Sequence, residues 1–209
     1  MTSFSFDDTT QNLPAGNRDI PLTRGKQWML EVGFMTDLLW FFWMYSFGGY
    51  LVERAFAAAT RAQRRERKCF LLLPLCPVYG LGMLAVLALP ESWRQGPWLI
   101  AAGAVTATAV EYAVHWAYET FLGVEFWDYS RMPGNLGGRV CLPFTLAWGV
   151  LTALTVWYVH PLAAALAASI PAWGTFGFLL LFSVDAVCSA RFLWVTHDVE
   201  ELRVTGWSI

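Results

Sequence analysis

Charge is what this chain has least of. Asp, Glu, Lys and Arg make up 14% of its 209 residues, against about 25% in soluble globular domains, so most of the chain cannot face water. The GxxxxGK phosphate loop, the GxSxG elbow and the GxGxxG dinucleotide fingerprint are all absent. Nucleotide hydrolysis, serine-hydrolase chemistry and dinucleotide binding therefore have no basis in the sequence, and no cofactor is expected. The four cysteines, Cys69, Cys76, Cys141 and Cys188, lack metal-ligand spacing and read as small buried hydrophobes. A net charge of −2 gives no reason to expect nucleic acid as a partner.

What is abundant is apolar and aromatic surface: 56% of the residues are hydrophobic and twelve are Trp. This composition predicts an all-α, polytopic membrane bundle with about five transmembrane helices. The expected spans are 38–59, 69–89, 98–121, 141–158 and 173–194, each near the ~20 residues that cross ~30 Å of hydrocarbon. Residues 1–26 read as a flexible tail, 27–196 as the transmembrane domain and 197–209 as a C-terminal tail. Breakers in Pro90 to Gly96 and in Pro161 to Pro171 mark two bilayer exits.

Orientation follows from Arg61 to Lys68, which holds five of the fourteen basic residues and is expected to stay in the cytoplasm. Five passes then place Arg131, Arg139 and Arg203 on that side and the N-terminus outside. The expected setting is a bacterial inner membrane, with membrane lipid as a partner.

Ionisable residues within the spans are costly and point to function. Glu111, His115 and Glu119 recur every four residues and form one polar stripe on the third span. Glu53 and Asp185 lie in the cytoplasmic halves of their helices on the same topology. Three readings of the stripe stand side by side: polar groups that fix helix packing, a binding or proton-handling site, or divalent-metal ligands. HExxH and the Glu-x-x-His of di-iron bundles are missing, so no metal is expected.

The loop after this span carries Trp127, Asp128, Tyr129, Asn135 and Arg139 among glycines. It suits either an interfacial turn or the recognition of a phosphate or lipid head group. Upstream, Leu75-Cys76-Pro77-Val78-Tyr79-Gly80 interrupts the second span, because Pro74 and Pro77 each remove a backbone donor. Broken helices are tolerated where they line a cavity, which makes Cys76, Pro77 and Tyr79 candidate cavity residues.

Together, LCPVYG at 75–80, Glu111-Tyr112 through Glu119 and Phe121-Gly123, WDYS at 127–130, Asn135, GGRVC at 137–141 and LAWG at 146–149 through His160-Pro161 carry a resemblance. Over roughly Ser46 to Pro161 the chain resembles the bacterial ABC-transporter permease family, type IV (CmpB-like). Glu53, Glu111 and Glu119 match acidic positions of that pattern. His115 stands where the family usually has a small residue, and Lys68-Cys69 and Leu73-Pro74 replace its Arg-Gly and Gly-Pro. The resemblance implies a multi-pass inner-membrane protein whose ATPase, where one acts, is a separate subunit.

The resulting expectation is a permease-like protein that binds a small polar or amphipathic molecule in an acidic pocket open to the cytoplasm. Its ligand-binding or proton-handling residues would be Glu53, Glu111, His115, Glu119, Asp128, Tyr129, Asn135 and Arg139. A lipid-active membrane enzyme and a structural accessory subunit are the alternatives.

Overall fold

The computed structural model describes residues 24–60, 69–199 and 202. The chain forms two compact units, Met1–Met35 and Thr36–Ile209. Of the first, only the opening of a helix from Arg24 onward is described, so the tail expected over residues 1–26 lies outside the described residues except for its last three. The basic run Arg61 to Lys68 and most of the C-terminal tail also lie outside them.

The described residues are all-helical, with no strand among them and one isolated bridge between Leu136 and Val140. The elements are α1 (Arg24–Ala59), α2 (Pro77–Leu87), the short α3 (Glu91–Arg94), α4 (Trp98–Ala117), α5 (Leu142–Leu154), α6 (His160–Ala167) and α7 (Ala172–Thr196). A wide π turn, Tyr118–Leu122, extends α4, and a second, Thr155–Val159, joins α5 to α6.

Among the described residues two helices are long and apolar enough to cross a bilayer, the continuous Leu142–Ala167 and Ala172–Thr196. The first runs well past the exit expected at residue 158. Pro161 stands in the opening turn of α6, just after the π turn. Inside this continuous helix, the wider turn before the proline relieves the clash its ring would otherwise cause. On α7, Trp173, Phe176, Leu180, Val184 and Val187 form an exposed stripe at steps of three and four.

Only part of the expected span 69–89 is helical. Its helix begins only at Pro77, and eleven residues reach about 16 Å, half of what a crossing needs. Residues 69–76 are irregular because Pro74 and Pro77 cannot donate to a helix. Buried backbone donors still need acceptors. Asp185 of α7 supplies them, taking the N–H groups of Leu72 at 3.2 Å and Leu73 at 3.0 Å, while Cys76 N–H donates to Ser46 O at 2.9 Å. Leu71 and Leu75 then pack on Trp43, Phe178 and Phe182.

Small residues bring the helices close. A Cβ on Gly103 of α4 would overlap the Thr152 hydroxyl, and one on Gly149 of α5 would approach Ile100 O to 2.7 Å. On α2, a Cβ at Gly80 would overlap Ser46 of α1. Such contacts replace hydrophobic pressure as the reason helices associate in lipid. Thr152 spends its hydroxyl on its own helix, donating to Trp148 O at 2.7 Å. At the far ends, His197 donates from Nδ1 to Leu122 O at 2.8 Å, tying the end of α7 to the α4 extension.

Candidate functional site

The close packing of α4 on α5 sets Glu111 beside Trp148. Glu111 is 5% exposed; its Oε2 accepts from the Trp148 indole N–H at 2.8 Å and its Oε1 from the Tyr129 hydroxyl at 3.2 Å. Across from it, Glu53 of α1 accepts from the Tyr79 hydroxyl at 2.7 Å. Tyr79 and Trp148 meet with ring centroids 4.8 Å apart. Tyr129 stacks on Phe144 at 4.9 Å, and Phe144 meets Phe56 at 5.9 Å, one turn beyond Glu53 on α1. The contacts thus close a belt running from Glu53 through Tyr79, Trp148, Glu111, Tyr129 and Phe144 to Phe56.

The belt encloses a cavity of about 540 Å³. All its members line that space, as do Cys76 and Pro77, with Val150, Leu151 and Leu154 supplying an aliphatic side. The volume falls within the range of small-molecule sites, which are mostly apolar with a few placed polar groups.

The remaining polar residues singled out in the sequence sit beside this cavity and are not among its lining. His115 is buried, with Nε2 2.9 Å from Trp127 O; a carbonyl only accepts, so Nε2 carries the hydrogen. Its Nδ1 has no hydrogen-bond partner among the described residues. Glu119 lies one stripe step further, at the surface. Its Oε2 takes both Nε and Nη2 of Arg139, at 3.1 and 2.7 Å, and Arg139 Nη1 donates to the Tyr112 hydroxyl at 3.0 Å. These bonds to Glu119 raise the Arg139 pKa above its ordinary value.

Asp128 and Asn135 shape the intervening loop. The Ser130 hydroxyl and backbone N–H both donate to Asp128 Oδ1 and hold its carboxyl below the usual carboxylate range. Asn135 donates from Nδ2 to Ser130 O and Met132 O, each at 3.0 Å. The turn needs glycine at 138, where φ is +72° and a Cβ would lie 2.9 Å from both Asp128 Oδ1 and Ser130 Oγ. Tyr129 N–H donates to Gly138 O at 2.7 Å, and the Trp127 indole donates to Arg139 O at 2.9 Å. The loop thereby presents Trp127 and Tyr129, on either side of Asp128, to the cavity.

Sequence reasoning passed over Trp148, Phe56 and Phe144. For Trp148 a signal existed, since a tryptophan inside an apolar helix carries an N–H that must find an acceptor. The cysteines also depart from expectation. Cys69 and Cys76 are paired as a disulfide with Cα atoms 5.1 Å apart, both lining the cavity; Cys188 is exposed, and Cys141 alone is a free buried thiol. The irregular backbone of 69–76 is what turns the two sulfurs toward each other.

No curated protein and no solved structure matches the chain. One family model does, over residues 40–190, beyond the resemblance from Ser46 to Pro161 on both sides. That stretch takes in the belt, the loop, the long apolar helix Leu142–Ala167 and most of α7, and through it the chain belongs to the membrane-protein family described as "Putative ABC-transporter type IV".

Proposed function

We propose that this chain is a multi-pass protein of the bacterial inner membrane that binds and translocates a small polar or amphipathic molecule through the cavity between α1, α2, α4 and α5. The observation that carries the reading is the closed belt, which brings Glu53 and Glu111 from distant parts of the sequence to one apolar space. Structural polar groups need no such volume beside them.

Membrane placement has its own support. Exposed tryptophans stand near both ends of α4, at 98 and 116, and of α7, at 173 and 194. At 1.5 Å per residue these pairs are separated by about 27 and about 32 Å, close to the hydrocarbon thickness at which interfacial aromatic belts sit. On this reading 27–196 is one transmembrane domain with about five crossings, residues 69–87 crossing partly as irregular chain held by Asp185. The basic run Arg61 to Lys68 marks the cytoplasmic side. Glu53, Glu111 and Tyr129 hold the ligand's polar part; Asp128, Asn135 and Arg139 build the rim, with His115 fixing the Trp127 carbonyl. The family description points to an ATPase on a separate chain.

Native mass spectrometry of the purified protein in mild detergent tests this. A bound molecule retained by the wild type and by Glu91→Gln, an exposed carboxylate on α3 that does not line the cavity, but lost in Glu111→Gln and Glu53→Gln at matched helicity, is the expected result. Bare protein masses for all four would overturn the ligand-site reading.

A further inference from the structure

The cavity reaches the outer surface where α1 and α5 flank it. Five of the described residues that line it are exposed as well: Val52 and Phe56 of α1 and Ala147, Val150 and Leu154 of α5. A side chain that faces an internal space and the outside at once marks a mouth, and this one lies between the two helices. Val150 is 54% exposed and Leu154 46%. Exposed neighbours on the same helices, Phe47, Leu51 and Leu146, are apolar too.

Depth decides what the mouth meets. Ala147, Val150 and Leu154 stand about 8, 12 and 18 Å along the continuous apolar helix Leu142–Ala167, at 1.5 Å per residue. A helix of that length crossing ~30 Å of hydrocarbon holds these positions within the acyl-chain layer. Water is a poor occupant behind such a mouth, because aliphatic walls give it few hydrogen-bond partners and apolar cavities stay dry. An empty space forfeits dispersion contacts along its lining. No hydrophobic pressure keeps a lipid tail outside, since it is as apolar as the side chains it would touch. About 540 Å³ falls in the range that holds a drug-sized molecule, so a chain can lie inside the cavity and not only against its rim.

We propose that the cavity is entered from within the bilayer, between α1 and α5, and that the part of the ligand it takes is the acyl chain of a membrane phospholipid. The chain lies against Val52, Val150, Leu151 and Leu154. This rests on the reading of the cavity as a ligand site in a membrane-spanning protein, and it adds the ligand's class and its route.

Photolabelling of the full chain tests the proposal. The protein is reconstituted into phosphatidylethanolamine and phosphatidylglycerol vesicles that contain a phosphatidylethanolamine with a diazirine midway along one acyl chain, and labelled residues are mapped by peptide mass spectrometry. Label on the outer stripe of α7, at Phe176, Leu180 and Val184, reports ordinary contact with the bilayer. Tyr129 and Trp148 are 6% and 7% exposed and line the cavity, so label on them reports a chain inside. Both sets are expected to be labelled. Val150→Trp and, independently, Ala147→Phe place a ring in the mouth at exposed positions, and each should cut the label on Tyr129 and Trp148 about fivefold or more with the α7 label unchanged. Val187→Trp, exposed on α7 and outside the cavity lining, should leave the label on Tyr129 and Trp148 intact. Label on α7 without label on Tyr129 or Trp148 would overturn the acyl chain as occupant; a molecule still retained in native mass spectra would then leave the ligand-site reading standing, and bare protein masses would overturn both. Inner label that survives both mouth substitutions would overturn entry between α1 and α5.

Discussion

Glu111 and Glu119 are the same residue on the same helical stripe, yet they meet opposite surroundings. Glu111 is buried and accepts from an indole on α5 and a phenol in the following loop. Glu119 is 43% exposed and closed by the Arg139 guanidinium at 2.7 Å. A buried carboxylate that accepts from two separate elements holds the wall of the cavity together. One spent on a surface arginine stiffens a loop, and exposed ion pairs of that kind contribute little to stability. Spacing along a helix therefore identifies a stripe without saying which of its members reaches a site.

The largest expected difference between them is in stability. Glu111→Gln leaves one oxygen to accept from Trp148 or Tyr129 and turns an amide N–H₂ toward the other donor. Losing a buried hydrogen bond to a charged acceptor and facing two donors costs about 1–3 kcal/mol. Thermal unfolding in detergent should show that loss for Glu111→Gln and almost none for Glu119→Gln. Equal losses in the two variants would erase the contrast between buried and surface carboxylates.

Part of this arrangement is legible in the sequence. The all-helical membrane character follows from 14% charge and 56% hydrophobic content, and the Glu111 stripe from its spacing. The partners of Glu111 were not legible, because Trp148 reaches it only after Gly103 and Gly149 let α4 and α5 approach closely. Pro74 and Pro77 announced a break in the second span. They could not announce that Asp185, more than a hundred residues away, satisfies the broken backbone. Pro161 does not by itself end its helix, which the π turn before it carries on to Ala167, within the stretch Pro161 to Pro171 where the sequence places an exit.

The loop between the two regions gives an intermediate effect. Gly138→Ala must hold an alanine at φ +72° and press its Cβ toward Asp128 and Ser130, at a cost of about 1–2 kcal/mol. The expected result is faster amide hydrogen exchange over residues 127–140, with the amides of the Glu111 turn unaffected. Faster exchange at Glu111 as well would mean that the loop and the cavity wall form one cooperative unit and that the distinction drawn above is too sharp.

The smallest effect belongs to Asp128, and pH isolates it. Its carboxyl is held below the ordinary value of 3.8 by the Ser130 hydroxyl and backbone N–H. For a depressed carboxylate the stabilisation is fully present above the unfolded-state pKa and is lost as pH falls through the lower folded-state value. The difference in melting temperature between wild type and Asp128→Asn should therefore be the same at pH 7 and pH 5 and shrink only below about pH 4. Because the group is fully exposed, the difference should be small throughout. A difference already fading between pH 7 and pH 5 would show that the carboxyl titrates in a more apolar setting than this loop provides, and would move Asp128 from the rim into the cavity's own electrostatics.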